Sequence, residues 1–343
     1  MPPSLSRVAS AAVALLVLSA AAVPNNNPQS LRAGLQNART LAVSHFSRIA
    51  SDTGSADQIV ARLDSDLTAV ALVDPKDTVA FDQLSFRVAL DESLVSQLVD
   101  GSAAPVSQTP GTSALRLARS SVDGTLQPLA VYLPASYDAE KSAPLILMLH
   151  GQGQTETELL SEPSLRKLAD DSGAILAVPW MRGDRTFDAV TGKDAYDALT
   201  LLESNYKVDG RRTYLAGISL GAFDVFMLAP LHPDRWTAVL SIGGTLTNDD
   251  KDSFVKAMRG KPAFLVIGSD DPLVKVEYVR GAAAYLTANG VDCHYYEQRG
   301  GVHSLESLQV SLQRAWTDML AGVRFSSPEV DVPSPVPTGS QRY

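Results

Sequence analysis

The sequence has a single cysteine, Cys293, in 343 residues. One thiol excludes an intrachain disulfide, so the fold must depend on its hydrophobic core even in an oxidising compartment. Cys293 falls in a strand-like segment and is interpreted as a buried, unreactive thiol. Histidine, cysteine and aspartate do not cluster at the spacing of metal ligands, and we expect no metal or other cofactor.

Positive charge is also scarce. The chain has 29 lysines and arginines against 38 aspartates and glutamates, which gives a net charge of -9. Because the basic residues are outnumbered and scattered, the composition excludes a nucleic-acid partner and disfavours a polyanionic substrate. The length suits one large α/β domain with an appendage, or two ordinary domains.

Long apolar runs are missing, and the run at residues 8–18 is too short to favour a stable membrane span. Arg7 before this run and three alanines at residues 20–22 after it are typical of a secretory signal peptide. We therefore predict that residues 1–22 are a signal peptide and that the mature protein is secreted or periplasmic. An uncleaved anchor is the alternative interpretation.

The segment that follows, residues 23–100, has apolar residues at helical spacing. It predicts one helix across residues 31–49, a second that starts with Ser55 and Gln58 as a capping pair, and a third at residues 91–98. Small residues and prolines at 101–113 predict a linker. Residues 326–343 are rich in proline, serine and valine and are predicted to be a disordered tail.

Between these segments, residues 114–325 have a different pattern. A turn at residues 122–124 joins two strand-like segments into an antiparallel hairpin at a sheet edge. Short apolar runs then alternate with helical segments; the runs lie at residues 145–149, 174–178, 213–216, 238–242, 263–267 and 291–296. Strands that are apolar on both faces and separated by helices indicate a parallel sheet covered on both sides.

The most informative motif is Gly-Ile-Ser-Leu-Gly at residues 217–221. It follows an apolar run and precedes a helical pattern, so Ser219 falls at a strand-to-helix junction. A tight turn of this kind holds a serine in a strained conformation, and glycines beside it avoid collision with the neighbouring strand and helix. Ser219 is therefore the predicted nucleophile.

A serine hydroxyl needs an imidazole that can take its proton, and two histidines follow Ser219. His294 lies inside a strand-like run, whereas His303 follows a glycine-containing loop after the last predicted strand. A loop suits a general base that must move, so His303 is preferred to His294.

The acid that orients the imidazole is expected in the loop after the strand at residues 263–267, where Asp270 and Asp271 are adjacent. Asp271 precedes a proline, which restricts its backbone to extended geometry. We therefore predict Asp271 as the acid. Asp270 stays open as an alternative, and so does a plain turn role for both aspartates.

A tetrahedral intermediate needs backbone N–H groups that stabilise its negative oxygen. Residues 150–153, His-Gly-Gln-Gly, directly follow a predicted strand, and their glycines allow close approach to a substrate. The N–H groups of Gln152 and Leu220 are the predicted donors. The residues predicted to contact substrate are His150, Trp180, Met181 and Phe187. Trp180 and Phe187 could equally well cap the core.

Together these motifs resemble the α/β-hydrolase superfamily, in particular secreted esterases of the polyhydroxybutyrate depolymerase and feruloyl esterase type and prolyl-oligopeptidase-like hydrolases. The resemblance covers about residues 114–323 and is carried by residues 131–134, 149–151, 206–209, 214–221, 271–274 and 301–303. It implies an α/β-hydrolase fold, in which helices cover both faces of a mostly parallel central sheet. Residues before 114 form an N-terminal helical extension with no counterpart that we can match.

The resemblance implies a serine hydrolase that cleaves carboxylic esters through an acyl-enzyme, with Ser219, His303 and Asp271 as its triad. Only about twenty residues separate the strands at 238–242 and 263–267, so no large lid fits there and an open cleft would admit a bulky ester or a polymer end. Two alternatives stay open: a serine peptidase of the prolyl-oligopeptidase-like type, and an inactive hydrolase-fold binding protein. The sequence does not determine the oligomeric state.

Overall fold

The computed structural model describes residues 27–101, 106–183, 185 and 187–322. The signal peptide and the proline-rich tail predicted from the sequence lie outside these residues. Among the residues described, no helix is both long enough and apolar enough to cross a bilayer.

Four helices precede the sheet: α1 (Pro28–Ser44), α2 (Phe46–Thr53), α3 (Ala56–Leu72) and α4 (Thr78–Asp100). The single helix predicted at 31–49 is wrong, because the chain leaves helical geometry at His45 (φ -109°, ψ 19°). The predicted capping pair is also wrong. Ser55 adopts φ -149° and ψ 37° and its side chain makes no capping hydrogen bond. Helix α4 begins at Thr78, well before the predicted start at residue 91. The side chain of Asp77 caps this helix by accepting a hydrogen bond from the N–H of Ala80 at 3.1 Å.

The sheet has eight strands in the order β1-β2-β4-β3-β5-β6-β7-β8. The strands are β1 (Ser113–Arg119), β2 (Leu126–Tyr132), β3 (Ala143–Leu149), β4 (Ile175–Pro179), β5 (Val208–Ile218), β6 (Ala238–Ile242), β7 (Pro262–Gly268) and β8 (Asp292–Gln298). Strand β2 pairs antiparallel with both β1 and β4, and all other pairs are parallel. The predicted edge hairpin and mostly parallel sheet are confirmed.

Helices cover both faces of the sheet. They are α5 (Glu156–Leu160), α6 (Pro163–Ser172), α7 (Ala189–Asn205), α8 (Leu220–Leu228), α9 (Lys251–Met258), α10 (Val276–Ala288) and α11 (Gln309–Ala321). Ser307 folds the segment before α11 into turns. Its Oγ accepts from the N–H of Val302 at 3.0 Å and donates to the carbonyl of Val302 at 2.7 Å.

The N-terminal helices share a hydrophobic core with one face of the sheet. Successive strand residues point to opposite faces, and Ile146 and Leu147 of β3 accordingly belong to different buried clusters. The cluster of Ile146 also contains Leu35, Ile59 and Leu94 of α1, α3 and α4. Helices α1, α3 and α4 are therefore joined to the sheet by continuous apolar contacts.

Strands β3 to β8 are parallel, so their carboxyl ends meet at one edge of the sheet. The loop that follows β3 contains residues 150–155, and the β5 strand leads directly into Ser219. Asp271 follows β7, and His303 follows β8. The fold thus brings chemically competent side chains from separate segments of the chain to a single edge.

Candidate active site

Ser219 occupies the turn between β5 and α8 with φ 52° and ψ -118°. A positive φ is rare for a residue with a side chain and costs on the order of 1–3 kcal/mol. Its neighbours explain why the turn needs glycine. A Cβ on Gly217 would lie 2.2 Å from the carbonyl oxygen of Gly221, and a Cβ on Gly221 would lie 2.4 Å from that of Leu149. The turn therefore has the geometry of a nucleophile elbow.

His303 and Asp271 are hydrogen-bonded. The Nδ1 atom of His303 lies 2.7 Å from Oδ2 of Asp271, whose side chain is fully buried. The other carboxylate oxygen, Oδ1, accepts the N–H groups of Leu273 and Val274, both at 2.8 Å. Three contacts thus fix the carboxylate, and its Oδ2 faces the imidazole. Asp270 is exposed and accepts a hydrogen bond from the Ser269 hydroxyl at 2.8 Å, so it is Asp271 that meets His303.

The imidazole of His303 lies beside the segment that also holds Ser219. The N–H of Ser219 donates to the carbonyl of Ile242 at 2.9 Å, and Gly243 follows directly. A Cβ on Gly243 would lie 3.1 Å from Cε1 of His303. The Nε2 atom of His303 is buried and has no hydrogen-bond partner within the described part of the chain. With Nδ1–H donated to Asp271, Nε2 is the nitrogen that can accept a proton.

The loop after β3 (residues 150–154), which we call the oxyanion loop after its predicted role, packs against the elbow. The N–H of Gly221 donates to the carbonyl of His150 at 3.1 Å, and a Cβ on Gly151 would lie 3.3 Å from Cβ of Ser219. The side chain of Gln154 closes the loop by accepting the N–H of Gly151 at 3.0 Å. The N–H groups of Gln152 and Leu220 donate to no acceptor among residues 27–101, 106–183, 185 and 187–322, which leaves both available to a ligand.

The other predicted substrate contacts lie in different surroundings. His150 is buried, and its ring nitrogens lie 2.9 and 2.8 Å from the carbonyl oxygens of Gly151 and Trp180, so it connects the loops after β3 and β4. Trp180 is buried but borders a cleft. Met181 is buried in the core of the sheet, and Phe187 is half-buried against that core.

The cleft has a volume of about 650 Å³ and lies between the N-terminal helices and the loops after β3 and β4. Gln58 and Arg62 of α3 border it on one side, and Gln154 and Trp180 border it on the other. Gln154 lies between the cleft and Ser219. A Cβ built on Gly151 would lie 3.1 Å from Oε1 of Gln154 on one side and 3.3 Å from Cβ of Ser219 on the other.

Sequence reasoning missed a cluster of buried charges beside this cleft. Arg62 and Asp66 of α3 and Asp91 of α4 are buried polar residues, as is Glu156 at the start of α5. Burial and the adjacent Asp91 carboxylate raise the pKa of Asp66. A signal was present in the sequence, since Arg62 and Asp66 fall between Ile59, Leu63 and Val70 on the apolar stripe of α3.

Arg182, in the loop after β4, is a further residue that the sequence did not single out. It adopts φ 62°, and its guanidinium contacts Asp194 at 2.5 Å and Asp123 at 2.7 Å. The Arg182 hydrogen bond holds the pKa of Asp123 well below its usual range. These contacts join the loop to α7 and to the β1–β2 hairpin.

No group of three or more His, Cys, Asp and Glu side chains in the described segments could hold a metal ion. Cys293 is half-buried, and burial raises the pKa of its thiol to about 12. A thiol with that pKa stays protonated near neutral pH and is a poor nucleophile.

Comparison with curated proteins shows likeness to esterases over part of the chain. The "Bifunctional acetylxylan esterase/xylanase XynS20E" of Neocallimastix patriciarum is 26% identical over 162 residues, which are 46% of this chain and 23% of that protein. The "Putative esterase NocK" of Nocardia uniformis subsp. tsuyamanensis is 28% identical over 171 residues, which are 46% of this chain and 48% of that protein. The matched region spans less than half the length of either relative.

Solved structures share the fold. The fluorophosphonate-binding serine hydrolase FphF of Staphylococcus aureus superimposes with a TM-score of 0.51 at 15% identity, over 62% of this chain and 99% of that one. A hyperthermophilic esterase of the archaeon Pyrobaculum calidifontis gives 0.51 at 16% identity, over 73% and 95%. A family model described as "Putative esterase" matches residues 124–319, more than half of the chain. The chain therefore belongs to this esterase family and has the α/β-hydrolase fold.

Proposed function

We propose that this protein is a serine hydrolase that cleaves carboxylic esters through an acyl-enzyme on Ser219. The observation that carries the proposal is that the strained Ser219 elbow lies at the same sheet edge as the His303–Asp271 pair. In this pair, Nδ1 of His303 lies 2.7 Å from Oδ2 of Asp271. Membership of the esterase family supports ester hydrolysis. The names of the two curated relatives support it as well.

In the first half of the reaction, Ser219 Oγ attacks the acyl carbon of the ester while Nε2 of His303 takes the hydroxyl proton. Asp271 stabilises the imidazolium that forms, because its carboxylate stays hydrogen-bonded to Nδ1–H. The N–H groups of Gln152 and Leu220 hold the oxyanion. Collapse of the tetrahedral intermediate breaks the bond to the alcohol oxygen, which receives the proton from Nε2.

In the second half, a water molecule attacks the acyl carbon of the acyl-enzyme and gives a proton to Nε2 of His303. The same two N–H groups hold the second oxyanion. Ser219 Oγ then leaves, takes back the proton, and the carboxylic acid is released. The substrate we propose is a small-molecule ester or the end of a polymer ester, whose acyl group binds at Ser219 beside the N–H groups of Gln152 and Leu220.

We also propose that the protein is exported, on the basis of the charged and apolar pattern within residues 1–22. Expression of the full chain in a bacterial host, followed by mass determination of the protein outside the cytoplasm, tests this proposal. A mature N-terminus near residue 23 is expected. Full-length protein confined to the cytoplasm would contradict it.

Ester hydrolysis is tested with p-nitrophenyl acetate and butyrate set against p-nitroanilide peptides. Wild type is expected to hydrolyse the esters faster, and Ser219→Ala to lose at least about 10³-fold in kcat. Asp271→Asn is expected to lose kcat by a similar factor, because it no longer stabilises the imidazolium. Asp270→Asn is the matched control and should stay within about twofold of wild type.

Faster amide than ester turnover would favour the peptidase. Failure of a fluorophosphonate to label Ser219 would favour an inactive binding protein.

A further inference from the structure

Helices α3 and α4 hold α5 through a fully buried arginine. The Nη2 atom of Arg62 lies 2.6 Å from Asp91 of α4, 2.9 Å from Glu156 and 2.8 Å from the hydroxyl of Thr157. Glu156 and Thr157 are the first two residues of α5 and are completely buried. Burial alone would lower the pKa of Arg62, but Asp91 and Glu156 raise it above its usual value, so Arg62 is charged. A charge-assisted contact of this kind fixes the position of the first turn of α5.

A second arginine, Arg87 of α4, contacts the same turn. Its Nη1 donates to Oε1 of Glu158 at 3.0 Å, and its Nη2 lies 2.5 Å from Asp66 of α3. The other oxygen of Glu158, Oε2, accepts the N–H of Thr155 at 2.8 Å, and the Thr155 hydroxyl accepts the N–H of Glu158 at 3.2 Å. These two bonds form a capping box. Arg87 therefore holds the carboxylate that fixes the residue before α5.

The oxyanion loop ends where the capping box begins, because Gln154 directly precedes Thr155. The other end of the loop is fixed by the hydrogen bond from Gly221 to His150. Gln152 lies between these two fixed points and is itself exposed. The direction of its N–H thus depends on the position of α5. A displacement of about 1 Å is enough to weaken transition-state stabilisation severely.

We propose that Arg62 and Arg87 are positioning residues for the oxyanion hole, through which the N-terminal helices act on catalysis. The inference rests on the proposed function, since it needs Gln152 as an oxyanion donor. The helical region, which has no counterpart in the sequence resemblance, thereby acquires a role in the reaction. Neither arginine contacts the reacting atoms, and both act through α5 and the oxyanion loop.

The test compares Arg87→Met and Arg87→Lys in the full chain, with p-nitrophenyl acetate as substrate. Burst titration gives the concentration of active sites, so that kcat refers to folded enzyme only. An alkyl trifluoromethyl ketone, which adds to the serine to give an oxyanion, reports on the hole directly. Arg39→Met is the matched control, because it breaks an exposed arginine–aspartate pair between α1 and α3 that does not touch α5.

We expect Arg87→Met to lower kcat about 10-fold to 100-fold and to weaken ketone binding by the same factor, with KM and the pH midpoint of kcat unchanged. Arg87→Lys should recover part of both losses, and Arg39→Met should stay within about twofold of wild type. If Arg87→Met does not fold, Glu158→Gln tests the same link, because glutamine keeps the capping box and removes the charge that holds Arg87. A several-fold parallel loss of kcat and ketone affinity is then expected.

The inference is overturned if kcat of the folded variants stays within about twofold of wild type, or if kcat falls without a matching loss of ketone affinity. These results differ from failure of the proposed function. In that case wild type itself would not hydrolyse the ester, or Ser219→Ala would keep its activity. A wild type that is active and Ser219-dependent, combined with unaffected arginine variants, would remove only the positioning role.

Discussion

Ser219 has an unfavourable backbone conformation, with φ 52° and ψ -118°, that the folded protein maintains through contacts on three sides. Strand β5 and helix α8 fix its neighbours, and the carbonyl of Ile242 in β6 accepts its N–H at 2.9 Å. The strain lowers the stability of the fold by on the order of 1–3 kcal/mol and presents the hydroxyl at the sheet edge. At this residue the reactive geometry and the stability of the protein are in opposition.

Replacing Ser219 by glycine and by alanine separates the two effects. Glycine adopts positive φ without strain, so Ser219→Gly should have a free energy of unfolding about 1 kcal/mol higher than Ser219→Ala. Both variants should lack esterase activity. Urea unfolding of the two proteins side by side measures the difference, and a glycine variant less stable than the alanine variant would refute the assignment of strain.

Asp224, five residues after Ser219, predicts a pH dependence of the free energy of unfolding. Burial raises its pKa to about 7, and Oδ1 has no hydrogen-bond partner in the part of the chain that the structure describes. Below about pH 4 both folded and unfolded states carry the proton; as the pH rises toward 7, only the unfolded state releases it. Stability is therefore lost across this window, by at most about 1.4 kcal/mol per pH unit.

Asp224→Asn removes the ionisable group with little change of shape. The decrease in unfolding free energy between pH 5 and pH 7.5 should be about 2 kcal/mol smaller in this variant than in wild type, measured with urea. Asp249→Asn, at an exposed aspartate, is the control and should leave the decrease unchanged. Equal slopes for wild type and Asp224→Asn would show that Asp224 does not retain its proton in the folded state.

At the level of single elements, apolar content determined what the sequence could predict. Apolar runs marked six of the eight strands, and the turn at residues 122–124 marked the hairpin of β1 and β2. The apolar run at residues 213–216 covers only part of β5. This strand begins at Val208 with residues that are partly or fully exposed. The break between α1 and α2 at His45 has no sequence signal, because the apolar spacing continues through it. Burial thus reveals the middle of an element better than its ends.

The two helix caps before α3 and α4 give a prediction with an internal control. Asp77 makes a side-chain capping bond to the N–H of Ala80, whereas Ser55 makes none. Asp77→Ala should therefore lower the free energy of unfolding by about 1 kcal/mol, and Ser55→Ala should change it by less than about 0.3 kcal/mol. Urea unfolding checks both, and equal losses would contradict the capping geometry.

The parts of the candidate site differ in how far the sequence could reach them. Ser219, Asp271 and His303 each follow an apolar run or a glycine-containing loop, so their place at the sheet edge could be predicted. The contacts of Arg62 could not, because Asp91 and Glu156 are 29 and 94 residues away in the chain. A periodic pattern shows that a charge lies on an apolar stripe and does not show which distant group neutralises it.

In the whole molecule, the N-terminal helices and the sheet share one hydrophobic cluster, in which Leu35 and Ile59 lie together with Ile146 and Leu240. A shared core predicts that both parts unfold together. The tryptophans at positions 180, 236 and 316 all lie outside the N-terminal helices, so their fluorescence reports mainly the hydrolase region, although Trp180 also borders the cleft beside α3. Far-ultraviolet circular dichroism reports all helices.

We expect urea transitions measured by tryptophan fluorescence and by circular dichroism at 222 nm to coincide, with the same midpoint and slope. The wild-type chain suffices for this measurement. A circular dichroism transition that precedes the main fluorescence transition would mean that the N-terminal helices unfold independently. The shared core would then contribute little to their stability.

Arg62 and Glu156 are 94 positions apart in the chain, and this separation also affects the order of folding. Helices α3 and α4 emerge from the ribosome before α5, so their charged residues have no oppositely charged partner on α5 until α5 is synthesised. Burying Arg62 together with Asp91 and Asp66 before Glu156 arrives would leave the carboxylates and guanidinium without their final hydrogen bonds. The cluster therefore reaches its final set of hydrogen bonds only once β3 and α5 have formed, and its completion closes a long loop of the chain.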